Sequence, residues 1–121
     1  MSEPVVFADV HGADGAALRR FYGELFGWAF SEMPGPMDHG MAQSGAGGIG
    51  VGVGAAPEGR PSQVTFYVRT DDVAGALASA ERLGDSVSMP ATTMPDGTVL
   101  GMVADPEGHV IGLVTPPSGA A

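Results

Sequence analysis

The chain has 121 residues, of which 44% are apolar and 16% charged, with a formal net charge of −9 and no cysteine. That length supports one domain, or two small modules sharing a core, and the missing cysteine excludes disulfides, thiolate catalysis and zinc-finger-type sites. All five basic residues are arginines (Arg19, Arg20, Arg60, Arg69 and Arg82) with no patch beyond Arg19-Arg20, so nucleic acid and anionic membranes are opposed electrostatically and neither is expected as a partner.

Val5 to Val10 reads as the first strand. Asp14 then caps a helix on which Leu18, Phe21, Tyr22, Leu25 and Phe26 form one apolar stripe, with Arg19, Arg20 and Glu24 off it and Gly27 as the stop. Short strand-like pieces follow: 28–32, a Pro34-Gly35-Pro36 turn, 37–44, a Gly45-Ala46-Gly47 turn and 48–54. Residues 55–62, with Pro57, Gly59 and Pro61, read as a linker. The grammar then repeats. Val64 to Arg69 is a strand, Asp71 or Asp72 a cap, and Val73, Ala76, Leu77, Ala80 and Leu83 the buried stripe of a second helix ending at Gly84. Strands at 86–93, 98–104 and 109–115 complete the second copy, with turns at Pro95-Asp96-Gly97 and Asp105-Pro106-Glu107-Gly108. The chain is thus read as a single domain of two βαβββ modules, 4–54 and 63–115, joined by the 55–62 linker and ending in a frayed 116–121 tail.

Strand alternation assigns faces. Val64, Phe66 and Val68 should pack on the helices, leaving Gln63, Thr65, Tyr67 and Arg69 on the other face; the same parity groups Phe7, Asp9 and His11 opposite Val6, Ala8 and Val10. Gly48, Gly50, Gly52 and Gly54 leave one face of their strand bare, either as a pocket floor or for close packing. The formal G-x-G-x-x-G match at 45–50 is rejected, because a strand follows it where a nucleotide site needs a helix.

The helix Leu18-Arg19-Arg20-Phe21-Tyr22-Gly23-Glu24-Leu25-Phe26-Gly27-Trp28, the closing Ala104-Asp105-Pro106-Glu107-Gly108-His109-Val110-Ile111-Gly112-Leu113 and the paired βαβββ pattern resemble the vicinal-oxygen-chelate family of glyoxalases, bleomycin-resistance proteins and extradiol dioxygenases. The resemblance implies an α+β fold in which two modules form an open, cup-shaped mixed sheet. In metal-binding members it implies four His, Gln or Glu ligands, on positions that here fall on Phe7, Gln63, Gly112 and the 49–53 stretch. Only Gln63 can coordinate, and one glutamine cannot hold a hard cation.

The expectation is therefore a metal-independent, bleomycin-resistance-like protein with no cofactor, binding a small, partly apolar organic molecule. Phe7, Asp9, His11, His39, Met41, Gln63, Thr65, Tyr67 and Met102 are the candidate ligand contacts. The alternatives are a lyase, isomerase or dioxygenase, using His11 with Asp9 for acid/base chemistry or a displaced divalent metal on Asp9, His11 and Gln63, and a non-catalytic interaction module. His39 reads as a loop histidine beside Asp38, and His109 as the helix-side start of the last strand. A homodimer is implied by the resemblance. A cytoplasmic location is expected, because neither a secretory signal nor an apolar run of about 18 residues is present.

Overall fold

The computed structural model describes residues 3–32, 38–45, 47–56 and 61–117. Ten elements alternate as the repeat predicts: β1 (Val5–Gly12), α1 (Gly15–Phe26), β2 (Ser31–Glu32), β3 (His39–Gln43) and β4 (Gly50–Ala55), then β5 (Gln63–Arg69), α2 (Val73–Arg82), β6 (Ser86–Thr93), β7 (Val99–Ala104) and β8 (Val110–Thr115). The fold is α+β, built from two βαβββ modules. The Pro34-Gly35-Pro36 turn, most of the linker and the last four residues of the tail lie outside the described residues. Among the described residues, no helix is long and apolar enough to cross a membrane.

Two compact units are distinguishable, Phe7–Thr65 and Met1–Val6 with Phe66–Ala121. In the first, the strand order is β2-β3-β4-β1. β1 runs parallel to β4 and β3 antiparallel to it, as a helical crossover followed by a hairpin requires. Val51 and Val53, on one face of β4, are 5% and 0% exposed and carry this core with Ala42. Asp14 caps α1 by accepting from the Ala17 N–H, and Gly27, at φ 76, donates back to the Gly23 carbonyl.

The face of α1 differs from the expected stripe. Phe21, Leu25 and Phe26 are 57%, 57% and 55% exposed, whereas the Arg19 side chain is only 11% exposed. Arg19 turns inward because its guanidinium finds acceptors there: it donates to the Val53 carbonyl at 3.1 Å and to Asp38 at 2.6 Å, while its stem lies on Gly40. The displaced aromatics continue as a chain of ring contacts from Phe21 through Tyr22, Phe26 and Trp28 to Phe30, with centroids 5.0–6.3 Å apart.

In the second unit, the order is β5-β8-β7-β6. Val73 and Leu77 of α2 and Leu113 of β8 form the core, with Val68, Val87, Val99 and Val103 against it. Asp72, rather than Asp71, caps α2 through the Gly75 N–H. Leu83 is 82% exposed, contrary to the predicted stripe, because the helix ends at Arg82 and Leu83 is its cap. Val64 and Phe66 are also exposed, at 73% and 42%. β5 pairs with β8 only over Tyr67–Arg69, so Val68 alone of the three predicted residues reaches the α2 core. β6 ends this strand order and tolerates Pro90 next to its register shifts, as an edge strand can.

Candidate functional site

The glycines of β4 determine what lies on its other face. Side chains alternate along a strand, so with Val51 and Val53 in the core, Gly50, Gly52 and Gly54 present bare backbone on the opposite face. The flanking strands fill that space. Phe7, Asp9 and His11 of β1 stand in register beside Gly50, Gly52 and Gly54, and His39 of β3 stands beside Gly54 from the other side. A methyl group on Gly50 would lie 2.9 Å from the Phe7 ring, and one on Gly52 would collide with Asp9 Oδ1 and lie 2.7 Å from His39 Cε1. The bare face is a floor on which three polar side chains converge.

The convergence is tight. His39 Nε2 lies 3.5 Å from Asp9 Oδ1 and His11 Nε2 3.8 Å from Asp9 Oδ2, and the two imidazole rings meet edge to face at 5.6 Å. Asp9 and His39 are buried, at 7% and 9% exposure, while His11 reaches further out, with 20% of its side chain exposed. Among the described residues, neither Asp9 Oδ1 nor His39 Nδ1 has a hydrogen-bond partner. A buried carboxylate oxygen is costly to desolvate without a compensating partner, and the group nearest to Oδ1 that can compensate it is His39 Nε2 at 3.5 Å.

Positioning comes from both sides of the cluster. Asp9 and His11 are held by the β1–β4 ladder. His39 opens β3 directly after Asp38, which Arg19 anchors from below, and the Ala55 N–H donates to the Asp38 carbonyl at 2.7 Å. Arg19 thus fixes the entry to β3 and, through it, the place of His39.

His11 also lines a groove of about 530 Å³ formed by Val10, Gly12, Ala13, Asp14, Ala17, Leu18 and Ser62 to Val64. Most of that lining is apolar, and Gln63 is part of it. Of the other candidates, Thr65 is 3% exposed with its hydroxyl unpartnered among the described residues, and Met41, beside Gly52, is 37% exposed. Tyr67 and Met102 belong to the second unit, where both pair with Gly112 and the Tyr67 ring covers that glycine closely. The position at which metal-binding relatives are expected to carry glutamate is thus occupied by an aromatic face.

Two sequence expectations need correction here. His39 is a buried strand residue, and the signal available for it was parity: it shares the face of Met41 and Gln43, which must cover the glycine strand. His109 lies before β8 rather than within it, 72% exposed at its side chain, with Nδ1 2.9 Å from Asp105 Oδ2. The Asp105 carboxylate accepts the backbone N–H groups of Glu107 and His109, so this pair stabilises the Asp105-Pro106-Glu107-Gly108 turn.

Comparison with known proteins agrees with this fold. A glyoxalase-like domain model matches residues 5–114. A protein of Mycobacterium tuberculosis (strain CDC 1551 / Oshkosh) named "Putative glyoxylase CFP32" is 31% identical over 105 residues, covering 82% of this chain but 40% of the relative; a Mycobacterium bovis protein of the same name matches equally. The chain spans about two fifths of these curated relatives. Among solved structures, Streptomyces coelicolor methylmalonyl-CoA epimerase in complex with 2-nitronate-propionyl-CoA superposes with a TM-score of 0.69 at 16% identity, over 98% of this chain and 97% of that one. The Bacillus halodurans protein BH1468 gives 0.73 at 9% identity, over 100% and 99%. The chain belongs to the glyoxalase-like family and, with it, to the vicinal-oxygen-chelate superfamily.

Proposed function

We propose that the chain binds a small, partly apolar organic molecule with an oxygen-bearing head group, held between the His11 groove and the Asp9–His11–His39 cluster. One observation carries this reading: His11 belongs to both, lining the apolar groove and lying 3.8 Å from the buried Asp9 carboxylate. The head group would take hydrogen bonds from the imidazoles, and the apolar body would rest on Val10, Ala17, Leu18 and Val64. The carriers of acyl groups named for the structural neighbours are phosphate-rich. A chain of net charge −9, whose Arg19 is committed to Asp38 and the Val53 carbonyl, disfavours such an anion. The ligand class proposed is a carbonyl or hydroxyl compound of low charge.

The test is a ligand-observed and amide-shift NMR screen against small hydroxy, oxo and phenolic compounds. Hits should move the amides of His11, Leu18 and Val64, and His11→Ala should weaken them by about tenfold, the loss of one hydrogen bond. Hits that leave those amides in place, or that bind His11→Ala unchanged, would overturn the reading.

A second reading, acid/base catalysis, is favoured by the pairing of a carboxylate with two imidazoles, since such a set can take and return a proton next to a carbonyl. In that case, solvent deuterium should exchange into the carbon beside the carbonyl of a bound ligand, and His11→Ala should abolish the exchange. Exchange at the same rate in both proteins would exclude it. The homodimer expected from the family resemblance is proposed as well, and light scattering at micromolar concentration decides it.

A further inference from the structure

The four ligand positions implied by the family resemblance do not fit a metal ion: Phe7 and Gly112 offer no donor, and residues 49–53 comprise only glycine, isoleucine and valine. A different set of donors stands one pleat away on the same face of β1. We propose that Asp9, His11 and His39 form a displaced centre for a divalent first-row transition cation. The three side chains each offer a ligand atom, all within 4.8 Å of one another.

Geometry and donor chemistry support the assignment independently. Nitrogen and carboxylate ligands bind such cations at about 2.0–2.2 Å, so three donors on one ion stand roughly 3.0–3.5 Å apart. The distances of 3.5 and 3.8 Å about Asp9 lie within a small side-chain adjustment of that spacing. Two imidazoles and one carboxylate are the donors of zinc, iron(II) and cobalt(II) sites, whereas calcium and magnesium require an oxygen-rich shell. The second observation is burial: Asp9 is 7% exposed, and its Oδ1, 3.5 Å from His39 Nε2, has no hydrogen-bond partner among the described residues. Gly52 and Gly54 leave the space, since a methyl group at either would strike Asp9 or His39. Three protein donors leave coordination positions free, and His11 places them beside the groove. The assignment concerns the same cluster that the proposed head group would meet, and titration with metal alone, in the absence of any organic ligand, tests it separately from binding in the groove.

The protein, stripped with chelator, is titrated with Co(II) and then Zn(II) by calorimetry, and the imidazole signals of the three histidines are followed by NMR. One equivalent should bind with micromolar or tighter affinity, and Co(II) should erase or shift the His11 and His39 signals far more than that of His109. Asp9→Asn and His39→Ala should each weaken binding by at least about tenfold to a hundredfold, whereas His109→Ala should leave it unchanged. Binding well below one equivalent, loss of the His109 signal alone, or unaltered affinity in folded His39→Ala would overturn the centre. Should either buried-site variant fail a circular-dichroism check, His11→Ala, at the outer edge of the cluster, and the wild-type NMR pattern decide.

Discussion

The two modules begin alike and then diverge. In the first, Phe7 of β1 stands beside Gly50 of β4; in the second, Tyr67 of β5 stands beside Gly112 of β8, and each ring covers its glycine. One pleat further, the first module places Asp9 beside Gly52 and then His11 beside Gly54, whereas the second places Arg69 beside Val114. Beyond Phe7, Gly52 and Gly54 of β4 leave room that Asp9 and His39 occupy. β8 supplies Leu113 to its own core and has no such row. The same architecture therefore yields a polar centre in one half and none at the matching place in the other, and the difference traces to Gly52 and Gly54, where β8 has Val114 in the matching register.

The strongest way to break this comparison is to fill the row. Gly54→Val should strike His39 and the Asp38 carbonyl, destabilising the protein by about 2–3 kcal/mol as overpacking does; denaturant unfolding that shows no loss would mean the cluster has other room. In the second module, the largest effect should come from its core: Leu77→Ala, at 6% exposure, should cost about 2–5 kcal/mol, while Leu25→Ala on α1, at 57%, should stay within about 0.5 kcal/mol. Equal losses would show that the α1 stripe is buried after all. Replacing Asp72 by alanine should remove the α2 cap at a cost of about 1 kcal/mol in the same assay.

The smallest effect concerns pH. Backbone N–H groups of Thr98 and His109 hold the Asp96 and Asp105 carboxyls below their ordinary 3.8. A depressed carboxylate pKa stabilises the fold above the unfolded value, and that contribution is lost as pH falls through the lower folded values. Carboxyl NMR titration should place both groups below 3.8.

Sequence alone made the architecture legible because it lies in local signals: the capping aspartates, Gly27 and Gly84, and the alternation of β1, whereas the alternation of β5 misplaced Val64 and Phe66. The pairing of Asp9 with His11 was legible for the same reason, both being on one strand. His39 was not, because its partnership with Asp9 depends on β3 and β1 flanking the glycine strand, a contact between strands that parity alone does not reveal. The face of α1 was misread because Arg19 looks like a solvent residue until its two acceptors, Asp38 and the Val53 carbonyl, come into view.

The most direct test of the polar centre is a crystal structure of the protein grown with Zn(II) or Co(II), with anomalous maps collected on both sides of the metal edge. The account predicts a single strong peak within bonding distance of Asp9, His11 and His39, above Gly52 and Gly54. A map with its peak elsewhere, or with those three side chains turned away from one another, would contradict it.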